Sequence, residues 1–449
     1  MTDTSTSAAS VAATATAANA TNTTPIHWDD AGTSRIPFAV YTDADLHRRE
    51  LERFFYRRHW CYVGLEAEIP KPGDFKRTVV GERSVILVRA ASGQVHVVEN
   101  LCAHRGMQFC RERHGNRSSF ICPYHQWSYS LEGQLKGVPF RKGVKQDGQV
   151  NGGMPADFDM AANGLTRLKV ASRGGVVFAS FDHDIESLED FMGPEILRWF
   201  DRLFDGRKLK ILGYNRQRIP GNWKLMQENI KDPYHPGLLH TWFVTFGLWR
   251  ADNKSQLRMD AHHRHAAMIS TRGASGQAAQ VTNVSSFKAD MQLQDARFLD
   301  IVPEAWWASA GHDAALGGVT GGAPTAVMTT LFPSVILQQQ VNSVSTRQIQ
   351  PDGHGAFNFE WTHFGFEDDD AAMTQRRLRQ ANLFGPAGYV SADDGEVIEF
   401  SQTGFDSKPG HRTLVELGGR EVGDTEHMVT ETLIRGMYRY WREVMEAPE

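Results

Sequence analysis

The chain has 449 residues, of which 41% are hydrophobic and 22% charged; this is enough to bury a core in two or three domains and excludes a chain disordered throughout. A formal charge of -5, with no long run of like charges, gives nucleic acid nothing to bind. Four cysteines in such a length cannot form a disulfide framework, so the expectation for them is metal or catalytic chemistry in a reducing compartment.

Residues 1–35 read as a disordered tail: the first 25 are mostly Ala, Thr, Ser and Asn, without the basic start and leucine-rich core of a secretory signal. No run approaches ~18 consecutive apolar residues, so no membrane-spanning helix is expected and the protein reads as cytoplasmic. Residues 36–59 carry a helix from Asp43, placed as its N-cap, to His59, with Leu46, Leu51, Phe54 and Phe55 as an apolar stripe. Residues 60–183 change texture to short β-branched runs such as Arg77 to Val80, Ser84 to Val88 and Gly175 to Phe181, separated by Gly, Pro, Asn and Asp. That pattern predicts a small all-β domain.

Residues 184–449 read as a second, α+β domain. Asn222 to Asp232 and Thr374 to Phe384 are helical in pattern, and Ala326 to Gln350 predicts paired strands. The Gly- and Ala-rich stretch from Ala308 to Pro324 reads as a surface loop. A last helix presents Val429, Leu433, Met437, Tyr440 and Val444 on one face, with Asp424 as a possible cap.

Two constellations carry chemistry. In the β domain, Cys102-Ala-His104 is followed after seventeen residues by Cys122-Pro-Tyr-His125, so each short loop offers one thiolate and one imidazole. A structural zinc site of two cysteines and two histidines normally collects the cysteines first, an order this sequence violates. The interleaved order fits an iron-sulfur cluster in which two cysteines hold one iron and two histidines the other, and neutral imidazoles raise the potential to roughly -150 to +300 mV. Cys61 and Cys110 have no such partners and read as buried thiols. Arg105, Arg111, Arg113 and Arg117 crowd the same loops, as a solvated face or a docking surface for an acidic electron donor.

In the second domain, Asp232-Pro-Tyr-His235 is followed by His240. On an ideal helix the two imidazoles would point about 140° apart, but Pro233 and Pro236 interrupt that geometry, and Pro236 disfavours the α conformation for His235. Two histidines and a carboxylate form the facial triad that binds iron(II) with positions open for O2. The third ligand chosen is Asp394, from Asp393-Asp394-Gly395 in a loop after the Thr374 to Phe384 helix. Asp232 is placed to accept a hydrogen bond from an iron-ligating imidazole and to reach a cluster histidine, or else to cap a helix end. Lys224 and Lys231 read as solvated.

Together the two boxes resemble the large (α) subunits of the Rieske aromatic-ring-hydroxylating oxygenases, from about Ile36 to the C-terminus. The resemblance implies an all-β Rieske [2Fe-2S] domain beside a catalytic domain whose antiparallel sheet is covered by helices, of helix-grip type. It implies that Cys102, His104, Cys122 and His125 hold the cluster, that His235, His240 and Asp394 hold a mononuclear Fe(II), and that Asp232 bridges them between neighbouring subunits. The implied partners are a small β subunit in an α3β3 assembly, a ferredoxin and an NAD(P)H-dependent reductase, with O2 and a small aromatic acid as substrates.

Many family members space Glu-Asn-x-x-x-Asp where this chain has Glu228-Asn229-x-x-Asp232, so a pocket role is not carried over to Asn229. The shorter spacing, with Gly73 to Ser84 and Phe384 to Glu399, is similar to the branch acting on ortho-substituted benzoates. The implied reaction is salicylate to gentisate, with anthranilate or halobenzoate dioxygenation as the neighbouring reading and a non-catalytic electron carrier as a remote one. Phe384 and Val390 are pocket walls by family position. Gln338 and Gln340 share a strand face from which they could reach a substrate.

Overall fold

The computed structural model describes residues 26, 28, 32–245, 253–271, 302–307 and 324–448. The loop expected from Ala308 to Pro324 falls, apart from its last residue, outside these residues, as do the first 25 residues of the expected tail. The end of that tail is packed: Trp28 is buried with its ring 6.0 Å from Trp441 and 6.4 Å from Tyr438, and residues Gly32–Ser34 form a single 3-10 turn. Aromatic burial overrides the local composition there.

Asp43 caps the first long helix as expected, its carboxylate accepting from the Asp45 and Leu46 amides. The regular helix ends at Glu50 and a π-helical turn, Leu51–Phe55, replaces the expected run to His59. Glu50, wholly buried, accepts from the Trp441 and Trp223 indoles and pairs with Lys224 at 2.7 Å, which locks the N-terminal helix to the helix that leads to His235.

The β domain contains a four-stranded sheet of Val95–Glu99, Arg83–Arg89, Asp74–Val80 and His114–Asn116, and two three-stranded sheets. The three runs singled out in the sequence fall in its strands. The larger domain is built on seven antiparallel strands in the order Leu209–Ile219, Phe357–Phe366, Ser343–Pro351, Val335–Gln340, Ala326–Leu331, Ala266–Thr271 and Lys254–Met259.

Strand alternation gives this sheet two unlike faces. Leu337, Val344 and Phe364 pack with Trp199 and Phe200 of the Leu188–Leu203 helix. The other face, bearing Gln338, Ser345, Arg347 and His363, is covered by the Trp223–Lys231 and Ala371–Phe384 helices. The final helix spans Thr432–Glu446 without a side-chain cap: Asp424 instead accepts from the Met259 amide, and Val429 lies outside the helix, exposed.

Candidate functional site

Cys102 and Cys122 sit in two loops of one design. In each, the cysteine amide donates to the carbonyl five residues on (Met107, Trp127), and its carbonyl accepts from the amide four residues on (Gly106, Gln126). Both fourth positions have positive φ, 69° at Gly106 and 56° at Gln126, which a glycine adopts freely and a glutamine at a cost. The thiols are buried, Cys102 Sγ lying 3.2 Å from the Tyr129 hydroxyl. The imidazoles of His104 and His125 meet at the outer edge, ring centroids 4.6 Å apart, with His104 stacked on Trp127 at 4.7 Å. His125 Nδ1 is buried without a hydrogen-bond partner among the described residues. Thiols inside and imidazoles outside could hold a [2Fe-2S] cluster whose histidine-bound iron faces the surface.

The neighbouring arginines are mostly occupied. Arg113 reaches Glu360 of the large sheet at 3.3 Å, Arg117 pairs with Glu112 at 2.8 Å, and Arg105 bonds the Tyr124 hydroxyl at 3.4 Å. Cys61 and Cys110 are buried as expected, and burial pushes their thiols up to about 12 and about 11.

The second constellation converges by a route the sequence did not disclose. His235 takes an α conformation (φ -58°, ψ -33°), against the tendency of a residue before proline, and caps the single turn Pro236–Leu239. The chain bends at His240 (φ -85°, ψ 73°) before the next turn, Thr241–Thr245. The two imidazoles thus flank one four-residue turn, ring centroids 5.4 Å apart.

Asp394 does not lie in a glycine turn; it is in the second turn of the Tyr389–Ser407 helix, on a buried stripe with Val390, Ser391, Ile398 and Gln402. Asp394 Oδ1 lies 3.5 Å from His235 Nε2 and 3.3 Å from His240 Nε2. One donor atom from each of the three residues lies within 4.8 Å of the others. Burial opposes ionisation, but the two imidazoles hold the Asp394 carboxyl far below the usual carboxylate range. Burial likewise opposes charge on His235, yet Asp232 and Asp394 raise it to about 10. Such a trio is completed by a cation, and two imidazoles with one carboxylate suit Fe(II).

The remaining ring nitrogens are held. His235 Nδ1 lies 2.9 Å from the Asp232 carbonyl, whereas the Asp232 carboxylate, expected to be that acceptor, is 3.7 Å away and accepts the Tyr234 and His235 amides. His240 Nδ1 lies 3.2 Å from Asp393 Oδ2. Asn229, to which no role was carried over, donates to Asp394 Oδ1 at 3.1 Å. Lys224 and Lys231 are buried rather than solvated; Lys231 bonds Gln227 and Thr330, and burial lowers it to about 7.

Beside His240, the Phe243 ring lies 5.4 Å away and Phe384 packs 5.9 Å from Phe243. Phe243, Phe384, Met328 and Gln340 line a cavity of about 120 Å³. Gln338 donates to Gln340 at 2.7 Å, and Val390 is buried one helical turn before Asp394. A larger groove of about 700 Å³, between the N- and C-terminal helices, includes none of these residues.

The polar face of the sheet carries what the sequence reading missed. Gln338 pairs with Ser345, and Ser345 with His363; two residues along, Arg347 pairs with Trp361 and Trp361 with Asn215. Gln338 Oε1, Ser345 Oγ, Arg347 Nε, Trp361 Nε1 and His363 Nδ1 are all buried without a hydrogen-bond partner among the described residues. Buried polar groups are normally paired, so five orphans on one sheet face mark a place for a polar ligand. Arg347, 4% exposed, lies over the Trp361 ring, with Nη2 3.1 Å from the Met328 sulfur. Burial depresses it to about 9, with the Asp394 charge opposing. The available signal was an arginine on a strand with no acid beside it, in Ser343-Val-Ser-Thr-Arg347-Gln.

Residues 59–147 match the Rieske [2Fe-2S] domain family, and residues 202–447 match the ring hydroxylating alpha subunit (catalytic domain) family. The chain is 72% identical to the salicylate 5-hydroxylase large oxygenase component of Ralstonia sp, over 93% of this chain and 96% of that one. It is 37% identical to the anthranilate 1,2-dioxygenase large subunit of Burkholderia cepacia, over 94% and 95% of the two chains. Among solved structures, naphthalene 1,2-dioxygenase from Rhodococcus sp. superposes with a TM-score of 0.75 at 24% identity, covering 92% of this chain and 95% of that one.

Proposed function

The chain belongs to the α subunits of the Rieske ring-hydroxylating oxygenases, and from that premise we propose that it hydroxylates salicylate at C5 to give gentisate. The balanced reaction is salicylate + O2 + NADH + H+ → gentisate + H2O + NAD+. The observation that carries the polar, anionic substrate is Arg347, a buried guanidinium that among the described residues has no carboxylate in salt-bridge contact, on the sheet face beside Asp394. A purely hydrocarbon substrate would leave that charge stranded, whereas a benzoate carboxylate satisfies it.

The family's cofactors are a [2Fe-2S] cluster, which delivers electrons, and a mononuclear iron, which activates O2 when bound. We assign the cluster to Cys102, His104, Cys122 and His125, and the iron to His235, His240 and Asp394. Around them the chain's own groups set the geometry. The Asp232 carbonyl and Asp393 turn each Nε2 toward Asp394, and Asn229 anchors the carboxylate. Phe243, Phe384 and Met328 form apolar walls for the ring. With the carboxylate at Arg347, the opposite ring edge faces the metal residues.

Electron delivery is assigned to a neighbouring copy. Leu101 and Tyr124 beside the cluster residues, and Leu238 beside Asp232, are exposed, and the Asp232 carboxylate is only partly covered. These supply an interface across which His125 of one copy reaches Asp232 of the next, in an assembly with a small subunit and with reductase and ferredoxin as electron donors. Among the described residues no helix is long and apolar enough to cross a membrane.

The test is product analysis of the oxygenase with its small subunit, ferredoxin and reductase, supplied with NADH, O2 and either salicylate or anthranilate. Gentisate from salicylate is the expected result. Catechol from anthranilate alone would overturn the substrate and keep the iron chemistry.

A further inference from the structure

The ring of His363 lies on the same sheet face as Arg347, diagonal to it across the Ser345 and Trp361 pairs. It is 4% exposed and stacks on Trp361 with centroids 5.6 Å apart. One ring nitrogen is accounted for: Nε2 lies 2.8 Å from Asn215 Oδ1. Since a carbonyl oxygen only accepts, Nε2 carries the proton and Nδ1 is left as a lone-pair acceptor. Burial and the nearby positive charge of Arg347 both oppose a second proton on the ring, so Nδ1 keeps its lone pair.

This acceptor is buried and has no hydrogen-bond partner among the described residues. The ring has little freedom to find one. A Cβ on Gly385 would stand 3.7 Å from His363 Cε1 and 3.5 Å from Asn215 Oδ1, so the backbone after the Ala371–Phe384 helix closes over both side chains.

Resting on the reading of Arg347 as the carboxylate anchor, we propose that His363 Nδ1, fixed by Asn215, accepts the hydrogen bond of an O–H or N–H donor ortho to that carboxylate. The chamber then selects salicylate- and anthranilate-type acids over halo-, methoxy- and unsubstituted benzoates. A ligand with the donor satisfies a buried acceptor, whereas one without it leaves that acceptor unpaired, a difference of roughly ten- to hundredfold in affinity. His363 is thus a specificity residue that touches substrate but takes no part in the oxidation. The two-point hold also fixes the ring in its plane: with C1 and C2 facing the sheet, C4 and C5 form the edge turned to the metal residues.

The experiment is calorimetric titration of the metal-loaded oxygenase with its small subunit, anaerobically and without electron donor, using salicylate, 2-methoxybenzoate, 2-chlorobenzoate and benzoate. The wild type, His363→Leu and His363→Asn are compared, with cluster absorbance and melting temperature confirming that each is folded. The wild type should bind salicylate roughly ten- to hundredfold more tightly than the other three. His363→Leu should collapse that ratio to about one while leaving benzoate affinity within about threefold, and His363→Asn, whose amide oxygen can take the place of Nδ1, should restore part of it.

An unchanged ratio in His363→Leu, no preference in the wild type, or loss of benzoate binding in both variants would overturn the proposal. A ratio that behaves as described, in an enzyme that forms no gentisate, would keep the contact and refute the reaction assigned above.

Discussion

Replacing Arg347 by methionine separates a substrate anchor from a structural arginine, because the two roles give opposite signs in stability. The guanidinium is buried, has no acidic partner in salt-bridge contact among the described residues, and is depressed by burial to about 9, which corresponds to a penalty on the order of 5 kcal/mol on its charged form. Substituting buried charges by apolar groups of similar volume typically returns about 1–4 kcal/mol. For domains of this size that raises the melting temperature by roughly 2–4 °C per kcal/mol.

Binding moves the other way. Loss of charge-assisted hydrogen bonds to a buried carboxylate costs about 3 kcal/mol, roughly a hundredfold in kcat/KM for salicylate. The assay is gentisate formation by the reconstituted system alongside thermal melts, with salicylamide as a neutral control ligand that R347M should bind no worse than the wild type. A variant that melts lower than the wild type, or keeps kcat/KM for salicylate within about threefold, would refute the reasoning.

Asp393→Ala, which frees His240 Nδ1 (3.2 Å from the carboxylate), should weaken mononuclear metal binding by about 10–100-fold in chelator competition, with Asp393→Asn intermediate; unchanged affinity in both would deny Asp393 a positioning role. Cys102→Ser should abolish the visible absorption of the cluster while leaving a mononuclear metal bound at His235, His240 and Asp394, and coupled loss of both metals would contradict two separate sites. Glu228, raised to about 7 by burial against the pull of Tyr438 and Tyr41, gives a pH test. Its folded pKa exceeds its unfolded value of 4.5, so its contribution is complete below about pH 4.5 and is lost as pH rises through 7. Glu228→Gln should therefore gain about 2–3 kcal/mol on the wild type between pH 5 and pH 8, read from denaturation midpoints, and a constant difference would refute the shift.

Much of this protein was legible in one dimension because its chemistry is local in sequence. Cys102, His104, Cys122 and His125 lie in two short loops whose turns are set within five residues of each cysteine, so order and spacing alone separate an iron-sulfur cluster from a zinc site. The strand runs of the β domain, the Asp43 cap and the helices around Asn222 and Thr374 were equally readable, since alternation and capping are near-neighbour physics.

What tertiary structure decided were the long-range meetings. Asp394 does lie beside His235 and His240, but in another setting than expected, because a glycine after two acids reads as a turn until packing against Gln217 puts Gly395 inside a helix. Lys224 looked solvated until Glu50, far back in the chain, met it in the core. Arg347, Ser345, Trp361 and His363 carry no local motif, and only strand register brings their unpaired atoms onto one face. Sequence pointed to the cluster loops and the histidine pair because those candidate ligands lie close together along the chain. The fold determined the chamber, because a sheet face takes one or two residues from each of several strands.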